Sequence, residues 1–401
     1  MDGAYDLRRG LYTFKDIIMH ILIAPNAFKN SLDASAAAEA IQQGLKESKL
    51  ICTTTCFPVA DGGDGTGSLI IKKCNGSIVT RDVHDALGRQ IKSSFGLIGN
   101  GKTAVIEMAD ASGVRLLKKE QLNPLKASSF GTGELIKFAL DEGVNKIIIG
   151  MGGSATVDGG CGILNALGIT FLDAVGKQLI AVPDDLLKMA IVDVSFLDPR
   201  TFDREMVILC DVNNKLLGAN GAARVFGPQK GAIPEEVDLL DSFLERFSSI
   251  TARQTGIDMA GIKHSGTAGG AAAGLHAWLN AKLLNGIDYF LSLTDFDAAL
   301  YKCDLVITGE GSIDAQTLNG KGPYGVALRA KNQHIPVIGM AGKIPAENDD
   351  KLNKYFDVLI SINNETDDLA AEMKNTRVNL IRAAMDLGSR VALNGLSSLL
   401  K

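Results

Sequence analysis

Three glycine-rich loops in this chain carry carboxylates that could hold a cation. They comprise residues 61–65, 150–160 and 309–314, and each follows a short apolar run typical of a buried strand. Glycine allows backbone amides to approach a ligand closely, and carboxylate oxygens suit Mg²⁺. Three such strand ends predict a cation-bridged phosphate site at the carboxyl edge of an α/β sheet.

The central loop follows the apolar run 147–149 and consists mainly of glycine and small residues. We predict that Gly152, Gly153 and Ser154 bind a nucleotide phosphate, with the positive end of the next helix pointing at the same anion. Asp158 is the one carboxylate of this loop, and we favour a functional role for it. The alternative, that the glycines only allow a tight turn, stays open because a single glycine-rich loop is a weak motif.

In the third loop, Glu310 and Asp314 are four residues apart, and Lys321 follows in a Gly-Lys-Gly-Pro segment. Carboxylates suit Mg²⁺, and a lysine adds a movable positive charge for a transferring phosphoryl group. We expect Gly309 and Gly311 to lie against the nucleotide. The competing interpretation is a solvated turn with a surface lysine, which the density of charge among glycines disfavours.

Further candidates follow other predicted strands. Lys29 follows the first strand of a predicted doubly wound sheet, where ligand contacts are usual, although most lysines are surface residues. Asp61 and Asp64 could bind a metal, orient a hydroxyl or cap the next helix, and Asp64 has the composition of an N-cap. Asp211 ends the apolar run 207–210, where it could equally hold a turn.

The amino-acid composition limits which classes of protein this chain can belong to. The 401 residues suit two domains, and 46% hydrophobic with 22% charged residues is typical of a globular protein. A net charge of −5 without basic runs argues against nucleic acid or an anionic membrane as a partner. Six scattered cysteines lack zinc spacing, and no apolar run approaches the roughly 20 residues of a membrane span. We expect a cytoplasmic protein.

Strand and helix patterns predict an α/β fold with two domains. Residues 1–18 form an N-terminal extension, and Ser31 is the predicted cap of a helix over about 33–47. The segments 19–76 and 287–401 alternate strand and helix, which indicates a parallel sheet. Residues 77–286 include antiparallel segments and form a mixed-sheet α/β domain inserted into the first. The site would then lie in the cleft between the two domains.

The chain resembles the bacterial glycerate kinase family, in the class that makes 2-phosphoglycerate. The resemblance extends from Met19 to the C-terminal helices and is carried by long motifs in the family's order. These motifs occupy residues 23–31, 58–63, 127–136, 152–160, 225–232, 305–314 and 320–321. Two residues depart from the family's pattern: Asn26 replaces an aspartate common in relatives, and Ser312 replaces a basic residue found in several.

The resemblance implies phosphorylation of D-glycerate by ATP with Mg²⁺, and a parallel-sheet domain of the Rossmann or flavodoxin-like type. It leaves open transfer to the 3-hydroxyl, another small hydroxy acid, a non-catalytic nucleotide or metabolite sensor, and a homodimer. Carried onto this chain, it makes the following residues the site candidates: Lys29, Asp61, Asp158, Asp211, Glu310, Asp314 and Lys321. We infer catalytic roles for Asp158, Lys29, Lys321 and Asp61, with Asp158 as first choice for accepting the hydroxyl proton. The predicted metal ligands are Glu310, Asp314 and Asp211.

Overall fold

The computed structural model describes residues 18–347, 349–363 and 369–399, so the predicted N-terminal extension, Ile18 apart, lies outside the described residues. The strands are β1 Met19–Ile23, β2 Cys52–Cys56, β3 Ser77–His84, β4 Gln90–Ile98, β5 Thr103–Glu107, β6 Lys146–Gly150, β7 Thr170–Leu172, β8 Ile191–Asp193, β9 Glu205–Cys210, β10 Lys282–Asn285, β11 Leu305–Ser312, β12 Val337–Lys343 and β13 Val358–Ser361.

The α-helices are α1 Ala34–Glu47, α2 Thr66–Lys73, α3 Ala109–Ser112, α4 Phe130–Asp141, α5 Cys161–Ala166, α6 Pro183–Leu186, α7 Ala222–Phe226, α8 Pro234–Thr255, α9 Ala271–Leu279, α10 Gly286–Leu293, α11 Phe296–Leu300, α12 Gly322–Asn332, α13 Asp350–Asn353, α14 Leu369–Lys374, α15 Thr376–Asn394 and α16 Leu396–Leu399. Across the described ranges, no helix is both long and apolar enough to cross a membrane.

The first sheet contains five parallel strands in the order β13-β12-β11-β1-β2. Alternate residues of β1 face opposite sides, so Ile21 and Ile23 pack under α1 and α15 while Leu22 enters a second core. Asp33 caps α1 by accepting a hydrogen bond from Ala36 N, so the predicted cap at Ser31 is wrong. The Ser31 hydroxyl instead donates to the C-terminal helical region.

The second sheet is mixed and has the order β10-β9-β6-β5-β4-β3. Its strands β10, β9, β6 and β5 are parallel, whereas β4 and β3 are antiparallel to their neighbours. Asn100 and Gly101 both adopt positive φ between β4 and β5, as a tight hairpin turn requires. Strands β7 and β8 form a separate small hairpin. The predicted α/β fold, with one parallel and one mixed sheet, is confirmed.

Both sheets contribute side chains to one hydrophobic core. Leu22 and Val306 enter it from the first sheet, and Val105 and Val207 enter it from the second. Helix α2, which the sequence grouped with the first domain, packs on β4 and β5 of the second sheet. The domain limits 19–76, 77–286 and 287–401 therefore stay a prediction.

The loops at the carboxyl ends of the two sheets lie against each other. A Cβ on Gly286, at the start of α10, would lie 2.0 Å from the Asp61 carbonyl oxygen, and a Cβ on Gly62 would lie 3.1 Å from the Leu209 backbone. Only glycine permits such close backbone contact. This contact brings the loop after β2 beside the ends of β9 and β10, where carboxylates of both sheets meet.

Candidate functional site

Five of the predicted residues form one charged cluster at this junction. Burial raises the pKa of Glu310 to about 7, Lys321 and Lys29 oppose the rise, and Asp61 adds to it. Burial raises the pKa of Asp211 to about 6, Asp61 adds to the rise, and Lys29 opposes it. Lys29 and Asp61 act on both carboxyls, and Lys321 acts on Glu310. The structure therefore brings together, from four separate segments of the chain, Lys29, Asp61, Asp211, Glu310 and Lys321.

Two hydrogen bonds hold the Asp61 carboxylate in place. Its Oδ2 accepts a hydrogen bond from Asn26 Nδ2 at 2.9 Å and another from Gly322 N, at the first residue of α12, at 3.2 Å. The helix N-terminus stabilises negative charge there. The Asn26 side-chain amide donates this hydrogen bond to Asp61, whereas an ionised aspartate at position 26 would have no hydrogen to donate.

Glu310 lies within β11 and is only 8% exposed. Its Oε1 accepts a hydrogen bond from Thr317 Oγ1 at 3.0 Å, and Lys321 Nζ lies 3.9 Å from the same oxygen. A carboxyl with a pKa near 7 is suited to accept a proton at neutral pH. The residue therefore has the environment of a general base as well as that of a metal ligand.

The other residues of the third loop serve different purposes. The carboxylate of Asp314 accepts hydrogen bonds from Gln316 N at 2.8 Å and Ser312 Oγ at 3.2 Å within its own turn. Asp314 is also not among the charged groups that shift the pKa of Glu310.

A Cβ on Gly309 would lie 2.1 Å from Met340 O, so strand packing requires this glycine. Gly311 is exposed beside Lys29.

Asp158 is fully buried away from this cluster and is saturated with hydrogen bonds. Its Oδ2 accepts from Ser129 N at 2.8 Å, Ser129 Oγ at 2.7 Å and Gly162 N at 3.1 Å, while Oδ1 accepts from Gly160 N at 3.1 Å. The anion at the start of α5 is thus the chain's own carboxylate, where the sequence led us to expect a phosphate. This geometry favours a structural role, and a catalytic role for Asp158 stays a prediction.

The loop 152–154 packs against the turn that follows Asp61. Gly152 N donates to Gly62 O at 3.2 Å, and a Cβ on Gly152 would lie 2.2 Å from Asp64 N. Gly153 is exposed with φ +71°, whereas Ser154 is buried. Asp64 does not cap α2, because the N-cap is Gly65. Its carboxylate lies 3.8 Å from Arg115 instead.

Two buried ionisable residues were not predicted from the sequence. Lys230 is 4% exposed; it donates to Ser154 Oγ at 2.9 Å and Thr156 O at 2.7 Å, and burial lowers its pKa to about 7. Glu107 ends β5 and accepts a hydrogen bond from Gly65 N. Burial, aided by Asp110 and Asp64, raises the pKa of Glu107 to about 7. The only sequence signal for Lys230 was its position in the motif 225–232.

The donor set fits Mg²⁺ that shares its coordination with a substrate. In the part of the chain that the structure describes, no three His, Cys, Asp or Glu side chains form a ready-made metal centre. Asp61 and Asp211 nevertheless offer neighbouring carboxylates. Mg²⁺ is usually bound by one or two carboxylates together with substrate phosphates and water. A two-carboxylate site is therefore sufficient.

Comparisons with known proteins agree on one family. The profile of the glycerate kinase family matches residues 21–392. The glycerate kinase of Bacillus subtilis is 42% identical, covering 94% of this chain and 98% of that protein. The glycerate 2-kinase of Escherichia coli K12 is 40% identical with the same coverage. The crystal structure of a candidate glycerate kinase 2 from Salmonella typhimurium LT2 matches with a TM-score of 0.78 at 41% identity, covering 94% of this chain and 99% of that one.

Proposed function

The chain belongs to the glycerate kinase family, and from this premise we propose that it transfers the γ-phosphoryl group of ATP to the 2-hydroxyl of D-glycerate. The products would be ADP and 2-phosphoglycerate. The name of the Escherichia coli relative supports the 2-hydroxyl as acceptor. The observation that carries the proposal is the cluster of Lys29, Asp61, Asp211, Glu310 and Lys321 at the junction of the two sheets. The protein would act in the cytoplasm. The homodimer expected from the resemblance stays a prediction.

Phosphoryl transfer depends mainly on positioning and on neutralising charge. Lys29 and Lys321 supply positive charge beside Glu310, suited to the glycerate carboxylate and the transferring phosphoryl group. Glu310 would accept the proton of the attacking hydroxyl, because its pKa is near neutrality. The proton-accepting role that the sequence suggested for Asp158 fits the structure less well, since four hydrogen bonds already hold that buried carboxylate.

Asp61 and Asp211 would hold Mg²⁺, which neutralises phosphate charge when it is bound. Asp61 is kept in place by Asn26 and Gly322 N, so its carboxylate is oriented before any ligand arrives. The predicted metal role of Asp314 is less favoured, because that carboxylate is engaged in its own turn. Gly153 and Gly311, which are both exposed, would bind the nucleotide through their backbone. The nucleotide role predicted for Gly152 is less favoured, because its N–H already donates to Gly62 O.

The test is ADP release from ATP and Mg²⁺ with D-glycerate, using L-glycerate, glycolate and tartronate as controls. We expect release that depends strongly on D-glycerate, and NMR of the product should show phosphate on carbon 2. Phosphate on carbon 3 would contradict the position of transfer. Equal rates with every acid would contradict the substrate, and ATP binding without turnover would favour the sensor alternative.

A further inference from the structure

The amino group of Lys230 is buried, and it makes no ion pair with the residues that the structure describes. Both of its hydrogen-bond acceptors, Ser154 Oγ and Thr156 O, are uncharged. Over the ranges that the structure covers, no carboxylate lies within 4.0 Å of Lys230 Nζ, and Asp158 and Asp211 act on it only from farther away. A buried charge is costly unless it has a compensating partner. An anion bound nearby would supply one.

The hydroxyl of Ser154 connects this charge to the glycine-rich loop. Because Lys230 donates to Ser154 Oγ, the hydroxyl hydrogen of Ser154 remains available for donation. Among the residues that the structure describes, that hydrogen has no protein acceptor. Ser154 follows Gly153 directly, and Gly153 is the exposed residue of this turn. Ser154 itself is only 4% exposed, so an acceptor would have to reach its hydroxyl from the edge of the Gly153 turn.

The exposed side of the turn carries charges of both signs. The Asp64 carboxyl carbon lies 3.3 Å from the position that a Cβ on Gly153 would take. Arg115 lies 3.8 Å from the Asp64 carboxylate and also pairs with Asp110. Arg115 thus offsets part of the negative charge at the surface, while Lys230 acts from beneath the loop. Because two carboxylates face one guanidinium there, a phosphate would be accepted together with a bound cation, as ATP binds with Mg²⁺.

We propose that Lys230 is a positioning residue that orients the Ser154 hydroxyl to donate to an anionic group of the substrate at the Gly153 turn. This inference rests on the proposed function, under which the anionic group is a phosphate of ATP. Lys230 acts through Ser154 and does not itself touch the nucleotide. The same contact ties loop 152–154 to Thr156, so the loop keeps one conformation while the nucleotide binds.

A double-mutant cycle tests the inference through the KM for ATP and the KM for D-glycerate. Lys230→Met removes the charge at nearly constant length, and Ser154→Ala removes only the hydroxyl. We expect each to raise the KM for ATP by about tenfold, since a hydrogen bond to a charged group is lost. The KM for D-glycerate should change by less than about twofold, and the double variant should be no worse than the poorer single variant.

Lys263→Met is the matched control, because Lys263 is exposed and lies outside the site. It should leave every kinetic constant unchanged. If Lys230→Met does not fold, Lys230→Gln replaces it, since glutamine retains a hydrogen-bond donor without the charge. An unchanged KM for ATP in Ser154→Ala would overturn the inference, as would independent, multiplicative effects in the double variant. A wild-type protein without glycerate-dependent ADP release would instead overturn the proposed function.

Discussion

Glu310 and Asp314 show that two carboxylates of one short loop can have different chemistry. Glu310 is nearly buried beside Lys321, and its pKa is raised to about 7. Asp314 is half-buried and accepts hydrogen bonds from its own turn. The sequence placed both residues in the same category, as metal ligands. At the scale of the residue, burial and hydrogen-bond partners distinguish the proposed proton acceptor from a carboxylate that holds its own turn.

Replacing these two carboxylates should have unequal effects. Glu310→Gln keeps the shape but cannot accept a proton, so we expect kcat to fall by about 10²–10⁴-fold. In the wild type, kcat should rise as the pH increases through about 7, because Glu310 is then deprotonated and able to act as a base. The variant should lose this rise. Steady-state kinetics from pH 5.5 to 8.5 measure both effects.

Asp314→Asn is the control for Glu310→Gln. The asparagine Oδ1 can still accept a hydrogen bond from Gln316 N, so kcat should fall by less than about tenfold. If Asp314→Asn were the more damaging change, and added Mg²⁺ restored part of the activity, the metal role that the sequence suggested for Asp314 would be supported. The proton-accepting role of Glu310 would then be withdrawn.

At the scale of the element, the 150–154 segment depends on close contact between two loops. Gly152 meets the backbone of Gly63 and Asp64, where a Cβ would approach Asp64 N to 2.2 Å. Two residues earlier, a Cβ on Gly150 would meet nothing closer than 3.9 Å. Neither glycine has a positive φ. The two positions therefore differ mainly in the space around them.

Gly152→Ala should separate the two loops and displace Asp61. We expect a loss of about 1–3 kcal/mol in the free energy of unfolding, as for other overpacked sites. The kcat/KM for ATP should fall at least tenfold. Gly150→Ala should change stability by less than about 1 kcal/mol, because the added methyl makes ordinary contacts. Denaturant unfolding and steady-state kinetics compare the two, and equal losses would count against the loop contact.

Local patterns predicted the elements better than their tertiary roles. The helix expected over about residues 33–47 is α1, and the antiparallel segments expected within residues 77–286 include β3 and β4, because hydrophobic periodicity acts over neighbouring residues. The five residues of the charged cluster were predicted because the loops after parallel strands gather at the carboxyl edge of a sheet, and here the carboxyl edges of the two sheets meet. Glu107 was missed because its role depends on Gly65, which is 42 residues away in the chain. The sequence does not show that Asp158 accepts hydrogen bonds from amides of its own chain, which is the contact that favours a structural role.

At the scale of the whole molecule, the shared core should make the two sheets unfold together. Leu22 and Val207 belong to different sheets but to the same buried cluster. Loss of either sheet would expose that cluster to water. We therefore expect one cooperative transition. Fluorescence of Trp278, the sole tryptophan, reports on α9 beside the second sheet, while far-UV circular dichroism reports on all elements.

The two signals should give coincident denaturation curves with the same midpoint. Leu209→Ala, which shortens a fully buried side chain of the shared core, should shift both curves by the same amount. The expected loss is about 2–5 kcal/mol in the free energy of unfolding. A fluorescence change that precedes the change in circular dichroism would show that the sheets unfold independently.

The strand order of the first sheet also has a consequence for protein synthesis. Strand β1 lies between β2 and β11, and about 250 residues separate β2 from β11 in the chain. At about 5–20 residues per second, a ribosome needs roughly 10–50 s to make that interval. The strands of the second sheet leave the ribosome during this interval and can pair with one another. The edge of β1 that later pairs with β11 still has no neighbour. An unpaired apolar edge invites aggregation, so the nascent chain is most vulnerable just before its last quarter is made.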